Sequence, residues 1–118
     1  MKKIYTLLML LLPLSMMAQT NYLGNGSNGF GGAIGNGSLN ISDNGTTISF
    51  ALTKGGGLFN DALVIYLDNR LGGGFASTSL FADANDGLRK AISGFDGTFR
   101  SVVNFPNGFR PQYAIVVG

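Results

Sequence analysis

The 118-residue sequence predicts an all-β protein, an antiparallel β-sandwich of jelly-roll-like type, over residues 38–118. Three observations predict it. Polar and apolar residues alternate with a period of two from Ser38 onward. Two apolar, β-rich runs occupy residues 61–67 and 113–117. Nineteen glycines and eleven asparagines, all beyond residue 18, divide the chain into turns and short strands rather than helices.

The elements follow in order. Residues 1–18 read as a secretory signal peptide: Lys2 and Lys3 give a positive start, a fifteen-residue apolar run broken by Pro13 follows, and the small residue Ala18 precedes Gln19. A spanning helix needs roughly 20 apolar residues, more than this run supplies before polar Gln19, Thr20 and Asn21. The sequence therefore predicts a secreted or cell-surface protein with no membrane span once the leader is removed. Without cysteine, the domain has neither a lipoprotein attachment site nor a disulfide, so its apolar interior must suffice.

Residues 19–37 are glycine- and asparagine-rich, with Tyr22, Leu23, Phe30 and Ile34 as sizeable apolar anchors, and read as an extended lead-in lying on the domain. Leu39 and Ile41, then a turn at Ser42-Asp43-Asn44-Gly45, then Ile48, Phe50 and Leu52 alternating with Thr47, Ser49 and Thr53, spell a hairpin. Residues 54–57 form a loop. The run 61–67 reads as a strand covered on both faces. Loops follow at 68–74 and 82–87. Residues 87–94 fit either one helical turn or a short strand. Residues 98–105 and 113–117 read as strands, separated by Pro106-Asn107-Gly108 and Pro111. Five or six strands are fewer than the seven or so a sandwich commonly has, so the domain is expected to be incomplete at its C-terminus and to leave an unpaired strand edge there.

Composition excludes several function classes. Of eight lysines and arginines, Lys2 and Lys3 belong to the leader, which leaves six against six aspartates, a neutral mature chain with no clustered basic patch for nucleic acid. The absence of Cys and His excludes thiolate or imidazole zinc sites and Ser/His/Asp or Cys/His nucleophile arrangements. No aspartate stands out as one of a glycosidase pair, and a non-catalytic role is expected.

Several segments are candidate sites, each set against a plainer reading. Gly24-Asn25-Gly26-Ser27-Asn28-Gly29 has the spelling of a dinucleotide fingerprint but lacks the flanking strand and helix that make one work. Asp83, Asn85 and Asp86 together offer oxygen ligands for a calcium ion; the same residue types also serve turns through side-chain-to-backbone hydrogen bonds. Apart from that calcium ion, no cofactor is expected. Four glycosylation sequons begin at Asn25, Asn36, Asn40 and Asn44, three of them doubling as Asn-Gly turn dipeptides. Most aromatic rings are needed for packing. Phe75 and Phe95, flanked by glycine loops, are the candidate platforms on which the C–H face of a sugar would stack, with Asn, Asp and Arg donating to or accepting from its hydroxyls.

The segments Asn60-Asp61-Ala62-Leu63-Val64-Ile65-Tyr66-Leu67-Asp68, Gly73-Gly74-Phe75 and Asp86-Gly87-Leu88-Arg89-Lys90-Ala91-Ile92-Ser93-Gly94, continued by Asp96-Gly97, Arg100-Ser101, Asn104-Phe105, Gly108-Phe109 and Tyr113-Ala114-Ile115, resemble an N-terminal β-sandwich module of exported Bacteroidota proteins associated with type IX secretion. More distantly, the strand ending Tyr66-Leu67-Asp68 and the strand Tyr113-Ala114-Ile115 resemble the DOMON and family 9 carbohydrate-binding superfamily. The nearer resemblance implies export; the distant one implies a sugar- or haem-binding sandwich. Haem ligation there uses Met and His, whereas this chain has no His and its methionines, Met1, Met9, Met16 and Met17, all lie in the leader. Sugar-binding members commonly use Trp, which is absent here. Gln112 stands where an acid is expected before Tyr113, and Lys90 where a second Arg is usual.

The functional expectation is a non-catalytic exported module that binds a polysaccharide or cell-surface glycan or serves adhesion, as part of a larger secreted protein. The alternative is a structural spacer without a small-molecule ligand.

Overall fold

A computed structural model of the protein describes residues 18–26 and 31–118. The predicted leader, apart from Ala18, lies outside the described residues, as do Ser27, Asn28 and Gly29 of the fingerprint-like stretch and the anchor Phe30.

Strand predominates over helix among the regular elements of the described chain, in two antiparallel sheets. The first sheet has the order β1-β2-β3, from β1 (Ala18–Leu23), β2 (Ser38–Asp43) and β3 (Ile48–Thr53). The second pairs β4 (Leu63–Leu67) with β5 (Tyr113–Val117). Between β1 and β2 lies a short helix, α1 (Gly31–Gly35). A 3-10 turn at Thr78–Leu80 and the helix α2 (Gly87–Ser93) lie between β4 and β5. Among the described residues no helix is long and apolar enough to cross a membrane.

The β2–β3 hairpin forms where the alternation places it. Its turn is held by side chains: Gly45 N donates to Asp43 Oδ1 at 2.7 Å, and Thr46 N and Thr47 N donate to Asn44 Oδ1 at 3.0 and 2.8 Å. Short side chains of this type mimic a backbone turn. Registers of β1 with β2 and β2 with β3 line up Tyr22, Leu39 and Leu52 in one row and Thr20, Ile41 and Phe50 in the next. Paired residues share a face, and alternate residues along a strand share it too. The opposite face carries Gln19, Ser42 and Ser49, then Asn21, Asn40 and Ala51. A slip of one residue would exchange the two faces, so the apolar pattern fixes the register.

The lead-in is only partly an appendage. Its first residues form β1, paired along its whole length with β2. Gly24 N then donates to Gly37 O at 2.9 Å and Gly26 N to Gly35 O at 2.8 Å, closing the segment around α1, whose Ala33 is 3% exposed.

The run 61–67 becomes β4, half-buried at all five positions. Residues 87–94 resolve as helix because both ends are capped. Asp86 Oδ1 accepts from Arg89 N at 2.9 Å, and Gly94, at φ 66°, donates its N–H to Lys90 O at 2.8 Å. A left-handed residue at that end favours glycine, which has no Cβ to clash.

The strand predicted at 98–105 is absent. Asp96 Oδ1 takes the N–H groups of Thr98 and Phe99 at 2.7 and 2.6 Å, and Thr78 Oγ1 takes that of Val103 at 2.9 Å. Side chains thus engage the donors that a ladder needs. What remains are isolated bridges, Phe95 with Arg100 and Ser77 with Asn104.

The most enclosed side chains of the described chain are polar. Thr78 and Ser93 are each 1% exposed. Ser93 Oγ donates to Asp83 O at 2.6 Å and accepts from Phe95 N at 3.1 Å, so the hydroxyl joins α2 to the loops on either side. Aromatic rings pack edge to face beside β4: Tyr66 with Phe105 at 4.9 Å and Phe105 with Phe109 at 5.8 Å. Such geometry matches the positive ring edge to the negative face.

Candidate functional site

A pocket of about 240 Å³ opens where β4, β5, α2 and the two glycine-bounded loops meet. Tyr66, from the fourth residue of β4, and Tyr113, the first of β5, stand on paired strands. Phe75 follows the 72–74 glycines, its N–H donating to Pro111 O at 3.2 Å. Phe81 follows the 3-10 turn and meets the Phe75 ring edge to face at 4.5 Å. Phe75 keeps 39% of its surface exposed, so part of its ring remains open to a ligand.

Polar groups enter from two sides. Asp83 and Arg89 form an ion pair on the pocket wall, both partly exposed. Gln112 is fixed from both ends: its Oε1 accepts from Asn69 N at 2.9 Å and its Nε2 donates to Gly72 O at 3.2 Å. The Tyr66 hydroxyl donates to Ile92 O at 2.7 Å, and burial pushes its pKa above the ordinary tyrosine value, keeping it a donor.

The loop carrying Phe75 is anchored by Asp68, whose side chain is 4% exposed. Its Oδ2 accepts from Arg110 N at 2.9 Å and its Oδ1 from Arg70 N at 2.8 Å. These backbone N–H donors, Arg110 foremost, hold the carboxyl below the ordinary aspartate range. Asp96 is lowered in the same way, chiefly by the N–H groups of Phe99 and Thr98.

The two predicted platforms are not brought together. Phe75 lines the pocket just described, whereas Phe95 lines a separate concavity of about 500 Å³ with Lys90, Asp96, Phe99 and Arg100. Phe95 is half-buried, and the Arg100 guanidinium lies over its ring, 4.6 Å from the centroid. That face is therefore covered by a cation rather than presented to a sugar.

Three oxygens of the predicted calcium cluster are engaged by the protein. Asp83 Oδ1 accepts from Asn85 N at 3.1 Å while Oδ2 faces Arg89, and Asp86 Oδ1 caps α2. The Arg89 guanidinium already supplies a positive charge beside Asp83. Among the described residues no group of three or more His, Cys, Asp or Glu is placed to hold a metal ion. Asn85 contributes its backbone N–H to this arrangement.

Tyr66, Phe81 and Tyr113 read in the sequence as packing residues; Tyr66 and Phe81 do pack against other rings, Tyr113 is largely exposed, and all three wall the pocket. Arg89 pairs with Asp83 rather than with Asp86, whose carboxylate is occupied as a cap. Neither residue spacing nor composition marks that pair, since Asp83 reaches Arg89 across a loop. Compared with family models, with curated proteins and with solved structures, the chain gives no match.

Proposed function

We propose that this chain is a non-catalytic, exported carbohydrate-binding module whose site is the pocket beneath Phe75. The two antiparallel sheets serve as the layers of a β-sandwich, and the leader directs the chain to the secretion pathway as part of a larger secreted or cell-surface protein. The observation that carries the reading is the composition of the pocket: the partly open ring of Phe75, packed edge to face on Phe81, lines it together with Tyr66, the Asp83–Arg89 pair and Gln112. An aromatic surface beside fixed donors and acceptors suits a ligand with an apolar C–H face and a rim of hydroxyls. Arg89 supplies donors, Asp83 acceptors, and the Gln112 amide both.

The test is a glycan array followed by titration of any hit. Binding that is lost in Phe75→Ala and kept in Phe95→Ala supports the site, because the Phe95 ring is already faced by Arg100. A folded protein inert toward every glycan would make the chain a spacer. Sugar hydrolysis that disappears on one Asp→Asn change would make it an enzyme.

A further inference from the structure

We infer that Asn107 is a site of spontaneous covalent modification, converting to aspartate and isoaspartate, and that the fold protects Asn25, Asn36 and Asn44 from the same reaction. All four precede glycine. A fifth such pair, Asn28-Gly29, lies outside the described residues.

The chemistry requires the amide nitrogen of the following glycine to act as nucleophile. Once deprotonated, that nitrogen attacks Cγ of the asparagine. A nitrogen–Cγ bond forms, the Cγ–Nδ2 bond breaks, and Nδ2 leaves as ammonia with the proton taken from the backbone. Water then opens the resulting cyclic imide at either of its two carbonyls, giving aspartate or isoaspartate. The sequence of steps consumes one water, releases one ammonia and involves no change of oxidation state. Glycine favours it because no Cβ blocks the approach.

A backbone N–H already engaged as a hydrogen-bond donor is a poor starting point, since its bond must open first. Three of the four glycines are engaged in this way. Gly26 N donates to Gly35 O at 2.8 Å, Gly37 N to Ile34 O at 3.0 Å, and Gly45 N to Asp43 Oδ1 at 2.7 Å. Asn44 is held a second time, because its Oδ1 accepts from Thr46 N and Thr47 N and its side chain cannot swing toward Gly45 without losing both. Breaking one net hydrogen bond corresponds to a slowing of up to about tenfold.

Asn107-Gly108 differs. It forms the middle of the turn that Phe109 N closes on Pro106 O at 3.1 Å, with Gly108 at φ 84°. Glycine with positive φ at the third position is the signature of a type II turn. Asn107 is exposed, and among the described residues the Gly108 N–H has no hydrogen-bond acceptor. The peptide between Asn107 and Gly108 can rotate toward the reactive geometry while the closing bond from Phe109 to Pro106 stays in place. The product adds a carboxylate to a mature chain in which six basic residues balance six aspartates, so the modified form is more acidic.

The experiment incubates the whole chain in mildly alkaline buffer, folded and in concentrated urea, and follows each Asn-Gly peptide by mass spectrometry with isoaspartate detection. In the folded chain Asn107 should convert several-fold faster than Asn25, Asn36 and Asn44, and in urea the four rates should converge. Asn107→Gln should remove the main acidic form seen on isoelectric focusing. Conversion of Asn25, Asn36 or Asn44 at a rate equal to or above that of Asn107 in the folded chain would overturn the proposal, as would an Asn107 that stays intact while the urea sample reacts.

Discussion

The Tyr66 hydroxyl donates to the carbonyl oxygen of Ile92 across 2.7 Å, joining β4 to α2 at the wall of the candidate pocket. Twenty-six residues separate the two, so the contact holds a tertiary arrangement rather than a local one. Tyr66→Phe keeps the ring and its packing on Phe105 while removing the donor. The expected cost is about 1 kcal/mol, the ordinary net value of one hydrogen bond, read as a lowered urea midpoint with an unchanged slope.

Asp86 caps α2 through Arg89 N, and the helix is only seven residues long. So short a helix depends on its ends and its packing. Asp86→Ala should cost about 1 kcal/mol, and Asp86→Ser should recover most of it, as followed by thermal unfolding.

At the other end, Gly94 is left-handed, and a Cβ there would meet the carbonyl oxygen of Ser101. Gly94→Ala adds that collision to the strain of positive φ and should cost more than about 1 kcal/mol. Asp86→Ala and Gly94→Ala act on the same helix, so their sum in the double variant tests whether it melts as one unit.

Acid should weaken the fold through Asp68 and Asp96. Both carboxyls are held below the ordinary value of 3.8 by backbone N–H donors, so near that pH the unfolded chain binds more protons than the folded one. Their contribution is complete above 3.8 and is lost as the pH falls toward the depressed folded values. The Asp68→Asn variant should show a flatter fall in urea midpoint between about pH 5 and about pH 3 than the parent.

Within the pocket, Arg89→Met keeps the length of the side chain and removes its charge and donors. Because the Asp83–Arg89 pair is partly exposed, the cost in stability should be at most about 1 kcal/mol. Loss of glycan affinity without loss of folding, measured by calorimetry beside a melting curve, would assign Arg89 to the ligand.

What the sequence makes legible is what short-range chemistry decides. The β2–β3 hairpin is readable because alternation and an Asp-Asn-Gly turn lie within one stretch of chain. β1 is not, since Gln19, Thr20 and Asn21 have no strand pattern of their own and become a strand by pairing with β2. Residues 98–105 contain valines and aromatics yet fail as a strand, because the Asp96 carboxylate and the Thr78 hydroxyl, the second from a distant segment, engage the N–H groups. For 87–94 the deciding signals, Asp86 before and Gly94 after, are present in the sequence, whereas apolar periodicity over so few residues is not decisive.

The site divides along the same line. Phe75 is marked by the glycines before it and does line the pocket. Phe95 carries the same mark, but the residue that covers it, Arg100, arrives through a bridge that the sequence does not signal. Asp83 and Asp86 are visible as a cluster, while their separate duties, one to Arg89 and one to the helix end, appear only once α2 is folded.

Arg100 does two jobs at once. While its guanidinium rests on Phe95, its Nη1 donates to the carbonyls of Thr78 and Phe81, fastening the turn that delivers Phe81 to the other concavity. Stripping the cation from one aromatic would therefore slacken the support of another, so the neighbouring hollows are mechanically yoked, and a descendant of this chain that acquires a second open ring at Phe95 must find a new fastener for the first.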